Sequence, residues 1–295
     1  MVKIAVLGST GMLGSTLTRI LERDFASVTE FNRSGHSVTG ANKTVTLDLL
    51  KSYDLFEIFK DLQIDYIINA IGMIKQVIDE EKPGDILAAR MINSDFIIKL
   101  NSFSVETGVK IIQIGTDCVY SGLEGSYSEV HGFDPTDVYG KTKTMGEQAS
   151  SELMIVRSSI IGKEVESSVS LLSWVLSQPK NATINGYVNH IWNGVTTLHF
   201  SEVVSGIIKS ESFSKGTTHL VPGDIVNKYE LIKIIATEFG RIDLKIKEFV
   251  SENPVNRTLN TVDPVRNLHM WRMGGYNKIP TIHEMVSKYA KWART

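Results

Sequence analysis

The sequence predicts an α/β protein built on a Rossmann-like, doubly wound parallel sheet with a smaller C-terminal lobe. Three observations carry this: an apolar run, Val2–Leu7, that ends in a glycine turn; strand–helix units repeated through the first half; and a looser pattern after Gly162. With 42% hydrophobic and 22% charged residues, a chain of 295 residues can bury such a core, which excludes global disorder.

Val2–Leu7 reads as a buried parallel strand, being short, continuously apolar and stopped by Gly8. Met12–Glu22 places Leu13, Leu17, Ile20 and Leu21 near helical spacing. Val28–Phe31 is a second strand, and Val45 marks a brief third. Tyr53–Leu62 is helical, with Leu55, Phe56, Phe59 and Leu62 on one side, and Asp65–Ala70 is a strand. A long helix runs from Asp85 to Thr107 until Gly108 stops it, and the strand Val109–Ile114 follows. Residues 115–136 are rich in Gly, Ser and Asp and read as a loop over a site. Val138–Ser150 is helical and Leu153–Arg157 is the next strand.

Beyond Gly162, Val169–Leu176 reads as a helix and residues 185–194 as an irregular run. Leu198–Ile208 is helical, Thr218–Val221 is a strand that can return to the main sheet, and Lys228–Phe239 is a helix. The tail mixes short strands and turns with a final helix near Ile282–Trp292. In a doubly wound sheet, ligands sit outside the carboxyl ends of the strands, where the strand order reverses. That rule puts Gly8–Gly14, Ala70–Ile74 and Gly115–Cys118 on one rim.

Charge narrows the function. Lys+Arg total 31 against 33 Asp+Glu, a formal charge of -2 without like-charge runs, which argues against a nucleic-acid partner. No apolar stretch approaches the roughly 20 residues of a membrane span, and the N-terminus lacks signal-peptide features, so no membrane partner is expected. The single cysteine, Cys118, cannot form an internal disulfide, and no metal-ligand cluster is found. A reducing, cytoplasmic setting follows.

Gly8-Ser-Thr10-Gly11-Met12-Leu13-Gly14 opens the first helix. Gly8 permits the sharp turn, Gly11 a close backbone approach, and Gly14 close packing of helix on sheet. Free N–H groups at that helix terminus suit the pyrophosphate of a dinucleotide. At the end of the second strand stand Asn32 and Arg33, where an acidic residue would favour NAD. Arg33 can pair with a 2′-phosphate, so NADPH is the expected cofactor and NADH the alternative; the rival reading of Arg33 is an ordinary exposed charge. Glu30 points elsewhere by strand alternation. Asp48, with Leu49 beside it, either meets the adenine amino group or is a surface-turn carboxylate. Ala70, Ile71 and Gly72 complete the cofactor rim.

Tyr139 and Lys143 are i and i+4 on one helix, so both side chains can meet one ligand. A nearby ammonium favours the phenolate and eases proton transfer at a substrate oxygen, and Lys143 can also hold the nicotinamide ribose. Thr116, at the rim after Gly115, can donate to a carbonyl as negative charge develops. Asp117 either orients a hydroxyl or caps its loop. Cys118 is a proton donor, a pocket wall or an inert thiol. For a second, substrate-facing surface the candidates are Lys75, His190, Trp192, Asn193 and Arg257: Trp192 offers a flat face and Arg257 a cation, against structural readings as core and surface ion pair.

Gly8–Gly14, Asn69-Ala-Ile-Gly72, Thr116 and Tyr139…Lys143 together resemble the extended short-chain dehydrogenase/reductase family. The segments Ile114–Gly122, Tyr139–Lys143 and Ile155–Gly162 look like its dTDP-4-dehydrorhamnose reductase branch. The resemblance implies NAD(P)H-dependent reduction of the C4 ketone of a nucleotide-diphosphate 4-keto-6-deoxy sugar. It assigns Tyr139 as proton donor, Lys143 as cofactor anchor, Thr116 as carbonyl-polarising hydroxyl and Asn93 as architectural support, and implies a possible homodimer. The expected division is an NADP-binding domain over 1–162, completed by parts of 195–239, and a substrate lobe from 163–194 and 240–295. Two departures matter. Cys118 stands where the branch usually has an aromatic residue and looks like GDP-fucose synthase, whose thiol assists 3,5-epimerisation; His190 or Lys163 would then be the partner acid/base. Residues 189–197 resemble a segment of reductase-like proteins of surface-polysaccharide synthesis. The rivals are a bifunctional 3,5-epimerase/4-reductase, a dehydratase or C4 epimerase, and a non-catalytic NADP-binding protein.

Overall fold

The computed structural model describes residues 1–40, 42–164 and 169–294. Six strands, β1 (Ile4–Leu7), β2 (Val28–Asn32), β3 (Lys43–Thr46), β4 (Tyr66–Asn69), β5 (Lys110–Gly115) and β6 (Met154–Arg157), join the strand Gly216–His219 in one seven-stranded sheet. Its order is β3-β2-β1-β4-β5-β6 with Gly216–His219 at the far edge, and every pairing is parallel. The order reverses between β1 and β4, so the predicted switch point falls beside Gly8. The expected return of a late strand to this sheet is met by Gly216–His219, which pairs with β6.

Strand alternation divides the core. Ile4 and Val6 face one side with Leu17, Val204 and Ile207, while Ala5 and Leu7 face the other with Phe31, Phe96 and Leu100. Both faces are covered by helices, which is why β1 reads as a continuous apolar run. The long helix expected over 85–107 is divided. An α-helix, Pro83–Arg90, passes through one π turn, Met91–Asp95, into a second α-helix, Phe96–Thr107, which Gly108 ends at φ 73°. The π turn carries Asn93 inward, a distortion often found near functional sites.

Residues 185–194, expected to be irregular, hold two strands. Thr183–Tyr187 pairs in parallel with Lys245–Phe249, and His190–Trp192 lies between Val226–Asn227 and Val255–Asn256. Their polar residues alternate with buried ones, as in Thr183–Tyr187, a pattern that glycine and asparagine obscure in the sequence. These small sheets form the lesser lobe. The helix Pro264–Met273 was not anticipated either; proline at its start and the Asp263 cap are its local signals. No helix of the described residues is long and apolar enough to cross a membrane.

Candidate active site

The glycine turn follows β1 as expected. Gly8 adopts φ 80°, its N–H donates to Phe31 O at 2.7 Å, and Gly11 N donates back to Gly8 O at 3.0 Å. A Cβ on Gly14 would stand 1.9 Å from Gly8 O, so only glycine lets the helix Met12–Asp24 start this close to the strand end. That helix has no side-chain cap and no acidic residue in its first turn, leaving its positive end to an anion. Arg33 is exposed beside it and forms no ion pair among the described residues. Asn32 is committed to the turn: its amide donates to Ser9 Oγ and His36 O, and its Oδ1 accepts from Ser34 Oγ and Gly35 N. Its side chain therefore shapes the rim with no group left for a ligand. Glu30 points away, as alternation requires, and accepts from Ser37 Oγ and Val38 N. Asp48 accepts from Leu50 N, lies 3.7 Å from Lys51, and precedes the buried Leu49.

Ala70 and Ile71 border Gly8, completing the rim at β4. Asn93 accepts from Met73 N at 2.9 Å and donates to Met73 O at 2.9 Å and Thr142 Oγ1 at 3.2 Å. It thereby ties the segment after Gly72 to the helix Val138–Gln148, which carries Tyr139 and Lys143.

That helix meets the end of β5 at a close approach. A Cβ on Gly140 would lie 2.2 Å from Cys118 O, so the residue after Tyr139 must be small for the phenol to reach the Thr116–Cys118 turn. Asp137 caps the helix by accepting from Gly140 N at 2.8 Å, and Lys75 Nζ pairs with its other oxygen at 2.9 Å. Thr116 caps the short turn Asp117–Val119, its Oγ1 accepting from Cys118 N.

Burial sets the ionisation here. Desolvation, reinforced by Cys118 and Asp117 and opposed by the Thr116 hydroxyl, pushes the Tyr139 phenol far above its usual range. Lys143 is buried and donates to Ile114 O at 3.0 Å. Desolvation also lowers Lys143, against the pull of Glu147. Cys118 is pushed up to about 12 by burial and by Asp117, so it is a thiol at neutral pH. Asp117 is raised by desolvation, with Arg257 and Lys228 pulling the other way.

Of the predicted lobe residues, Arg257 reaches this cluster: its Nε donates to Tyr120 O at 2.9 Å and its Nη1 lies 4.0 Å from Cys118 Sγ. Asn193 exchanges hydrogen bonds with the backbone of Leu259, anchoring the segment that bears Arg257. Trp192 is 4% exposed and donates to Ser159 Oγ, so it is core and no open platform. His190 stacks on Tyr187 and bonds Asn253 O, and Lys163 N donates to Tyr289 Oη; neither contacts Cys118. Lys228 and the buried Glu147–Arg157 pair escaped sequence reasoning. Glu147 had a signal, being i+4 from Lys143 on a helix that starts at the site.

The RmlD substrate binding domain model matches residues 2–291. The chain is 24% identical over 270 residues to methionine adenosyltransferase 2 subunit beta of Pongo abelii, covering 86% of this chain and 76% of that protein. It is 30% identical over 150 residues to the dTDP-4-dehydrorhamnose reductase of Streptomyces griseus, or 50% of this chain and 45% of that one. Among solved structures, the dTDP-4-dehydrorhamnose reductase of Bacillus anthracis str. Ames in complex with NADP superposes with a TM-score of 0.79 at 18% identity, covering 100% of both chains, a likeness of fold.

Proposed function

The chain belongs to the RmlD substrate binding domain family, the dTDP-4-dehydrorhamnose reductase-like branch of the extended short-chain dehydrogenases/reductases, and from that membership we propose that it reduces the C4 ketone of a nucleotide-diphosphate 4-keto-6-deoxy sugar with NADPH. The observation that carries the reading is the meeting of Thr116, Tyr139 and Lys143 at the carboxyl end of β5, on the same rim as the uncapped helix at Gly11. The cofactor fits this rim because the helix terminus carries no competing cap or acid and Gly14 leaves no side chain in the way.

When bound, the reduced nicotinamide supplies hydride. Tyr139 keeps its proton through the neutral range, since burial disfavours the phenolate, and is the donor to the alkoxide oxygen. Thr116 presents its hydroxyl to the same oxygen from the β5 side. Lys143, held against Ile114 O, would serve the ribose hydroxyls. Residues 163–194 and 240–295 would contribute the sugar-facing wall, with Arg257 its best-placed cation.

Incubating the protein with NADPH and a panel of dTDP-, GDP- and UDP-linked 4-keto-6-deoxy sugars tests the reading. NADPH oxidation with a C4 alcohol product is expected. Cofactor binding without turnover across the panel would favour a non-catalytic role. Solvent deuterium entering at C3 or C5 would identify the epimerase–reductase alternative. The high Cys118 value weighs against that route. Arg33→Ser should weaken NADPH roughly tenfold and NADH little, as loss of one charge-assisted contact requires. Equal losses in a titration of both cofactors would remove Arg33 from the 2′-phosphate.

A further inference from the structure

The loop that follows β4 is tied to the helix Val138–Gln148 at three points. Asn93 joins the backbone of Met73 to Thr142 Oγ1, Lys75 Nζ lies 2.9 Å from Asp137 Oδ2, and Glu80 Oε1 accepts from Val138 N at 2.9 Å. The last two ties meet the helix at its cap and at its first residue. Tyr139 is the second residue, so whatever fixes that first turn also places the phenol. At its other end the loop begins with Ala70 and Ile71, which border Gly8 on the cofactor rim.

Lys75 is the tie that carries a charge to balance. Asp137 is committed through both oxygens: Oδ1 accepts from Gly140 N at 2.8 Å, and the buried Oδ2 has Lys75 as its one close partner among the described residues. The carboxylate side chain is 9% exposed against 56% for the lysine. A pair of two exposed groups is worth little, but this lysine neutralises a charge that has almost no water to fall back on. Burial pushes the Asp137 carboxyl up; Gly140 N–H, Lys75 and, more weakly, Arg257 outweigh it and hold the group below its usual range. The charge also lies close to the turn that bears Thr116. A Cβ on Gly140 would stand 3.3 Å from Asp137 Oδ1 and 2.2 Å from Cys118 O. Without Lys75, Asp137 can regain solvation only by turning outwards, which gives up the cap on Gly140 and shifts the residue between them, Tyr139.

We propose that Lys75 is a positioning residue, which through Asp137 latches the loop of the cofactor rim to the first turn of the Tyr139 helix. Its effect on turnover rests on the reductase reading; its effect on the place of the phenol does not.

Steady-state kinetics with NADPH and a sugar nucleotide that is turned over, together with an NMR spectrum of protein carrying isotope-labelled tyrosine rings, test the latch. The Tyr139 signal is assigned by its loss in Tyr139→Phe. Lys75→Met should lower kcat about tenfold, with KM and NADPH affinity held within about twofold, and should shift the Tyr139 signal. Lys75→Arg should recover most of both effects, since it restores the charge at Asp137. In Asp137→Asn, which keeps a capping oxygen without the charge, adding Lys75→Met should cost nothing further. An unchanged kcat or an unmoved Tyr139 signal in Lys75→Met overturns the proposal, as does a full second loss in the double variant. A loss confined to KM or cofactor affinity overturns it too, by making Lys75 a ligand contact. Should the wild-type protein turn over no sugar nucleotide, the reductase reading fails and the tyrosine spectrum alone decides the latch. If Lys75→Met does not fold, Lys75→Gln faces the same outcomes.

Discussion

Tyr139→Phe is expected to lower turnover by about two to four orders of magnitude while NADPH affinity stays near the wild-type value. The phenol combines a proton held firmly at neutral pH with a place beside the Thr116–Cys118 turn. Cys118, pushed up to about 12, also holds a proton; its sulfur lies 3.9 Å from Asp117 Oδ1 and 4.0 Å from Arg257 Nη1. Phenylalanine keeps the ring that Gly140 allows to pack near Cys118 and removes only the hydroxyl, so the fold and the glycine rim should be untouched. Steady-state turnover and a fluorescence titration of NADPH separate the two effects. A Phe variant that turns over at the wild-type rate would move proton delivery to another group and leave Tyr139 as packing.

The sheet and rim were legible in the sequence because their causes are local. β1 is buried on both faces and therefore uniformly apolar, and Gly8, Gly11 and Gly14 answer to one tight turn. The candidate site residues Thr116, Tyr139 and Lys143 were legible because strand ends and helix starts in a doubly wound sheet share one edge. The lesser lobe was not. His190–Trp192 is strand only because Val226–Asn227 and Val255–Asn256, distant in sequence, pair with it. Lys228 was hidden for the same reason: its place against the Trp192 ring depends on that pairing. Trp192 and Asn193 were read as sugar contacts from residue type, and long-range bonds to Ser159 and Leu259 give them other work.

Arg157→Met should destabilise the protein by about 3–5 kcal/mol, because it leaves a carboxylate buried without its counter-charge. Arg157 and Glu147 form a fully buried ion pair directly behind the site; a Cβ on Gly115 would stand 3.0 Å from that of Arg157. The guanidinium also donates to Tyr120 Oη at 3.0 Å and His219 Nε2 at 2.9 Å, while Glu147 Oε1 already lacks a partner. Removing the cation therefore strands the Glu147 carboxylate and His219 Nε2, while Tyr120 Oη keeps its bond to Ser128 O. Thermal unfolding should show a midpoint lowered by on the order of 10 °C. The double variant Arg157→Met/Glu147→Leu should recover much of the loss, since an apolar pair can replace a buried ionic one. His219 gives an independent reading of the same network. It accepts from Arg157 and bonds Asn260 O through Nδ1, so it is held neutral, and burial followed by Arg157 lowers it to about 4. The unfolded chain, with histidine near its ordinary 6.5, then binds more protons than the folded one below that pH. Stability should accordingly be full above about 6.5 and fall as pH drops towards 4. Urea midpoints measured across that window test the sign, and a midpoint that rises on acidification would mean His219 is charged in the fold. A single Arg157→Met variant as stable as wild type would show that Glu147 finds another partner, for which Lys143, one turn away and already under its pull, is the candidate.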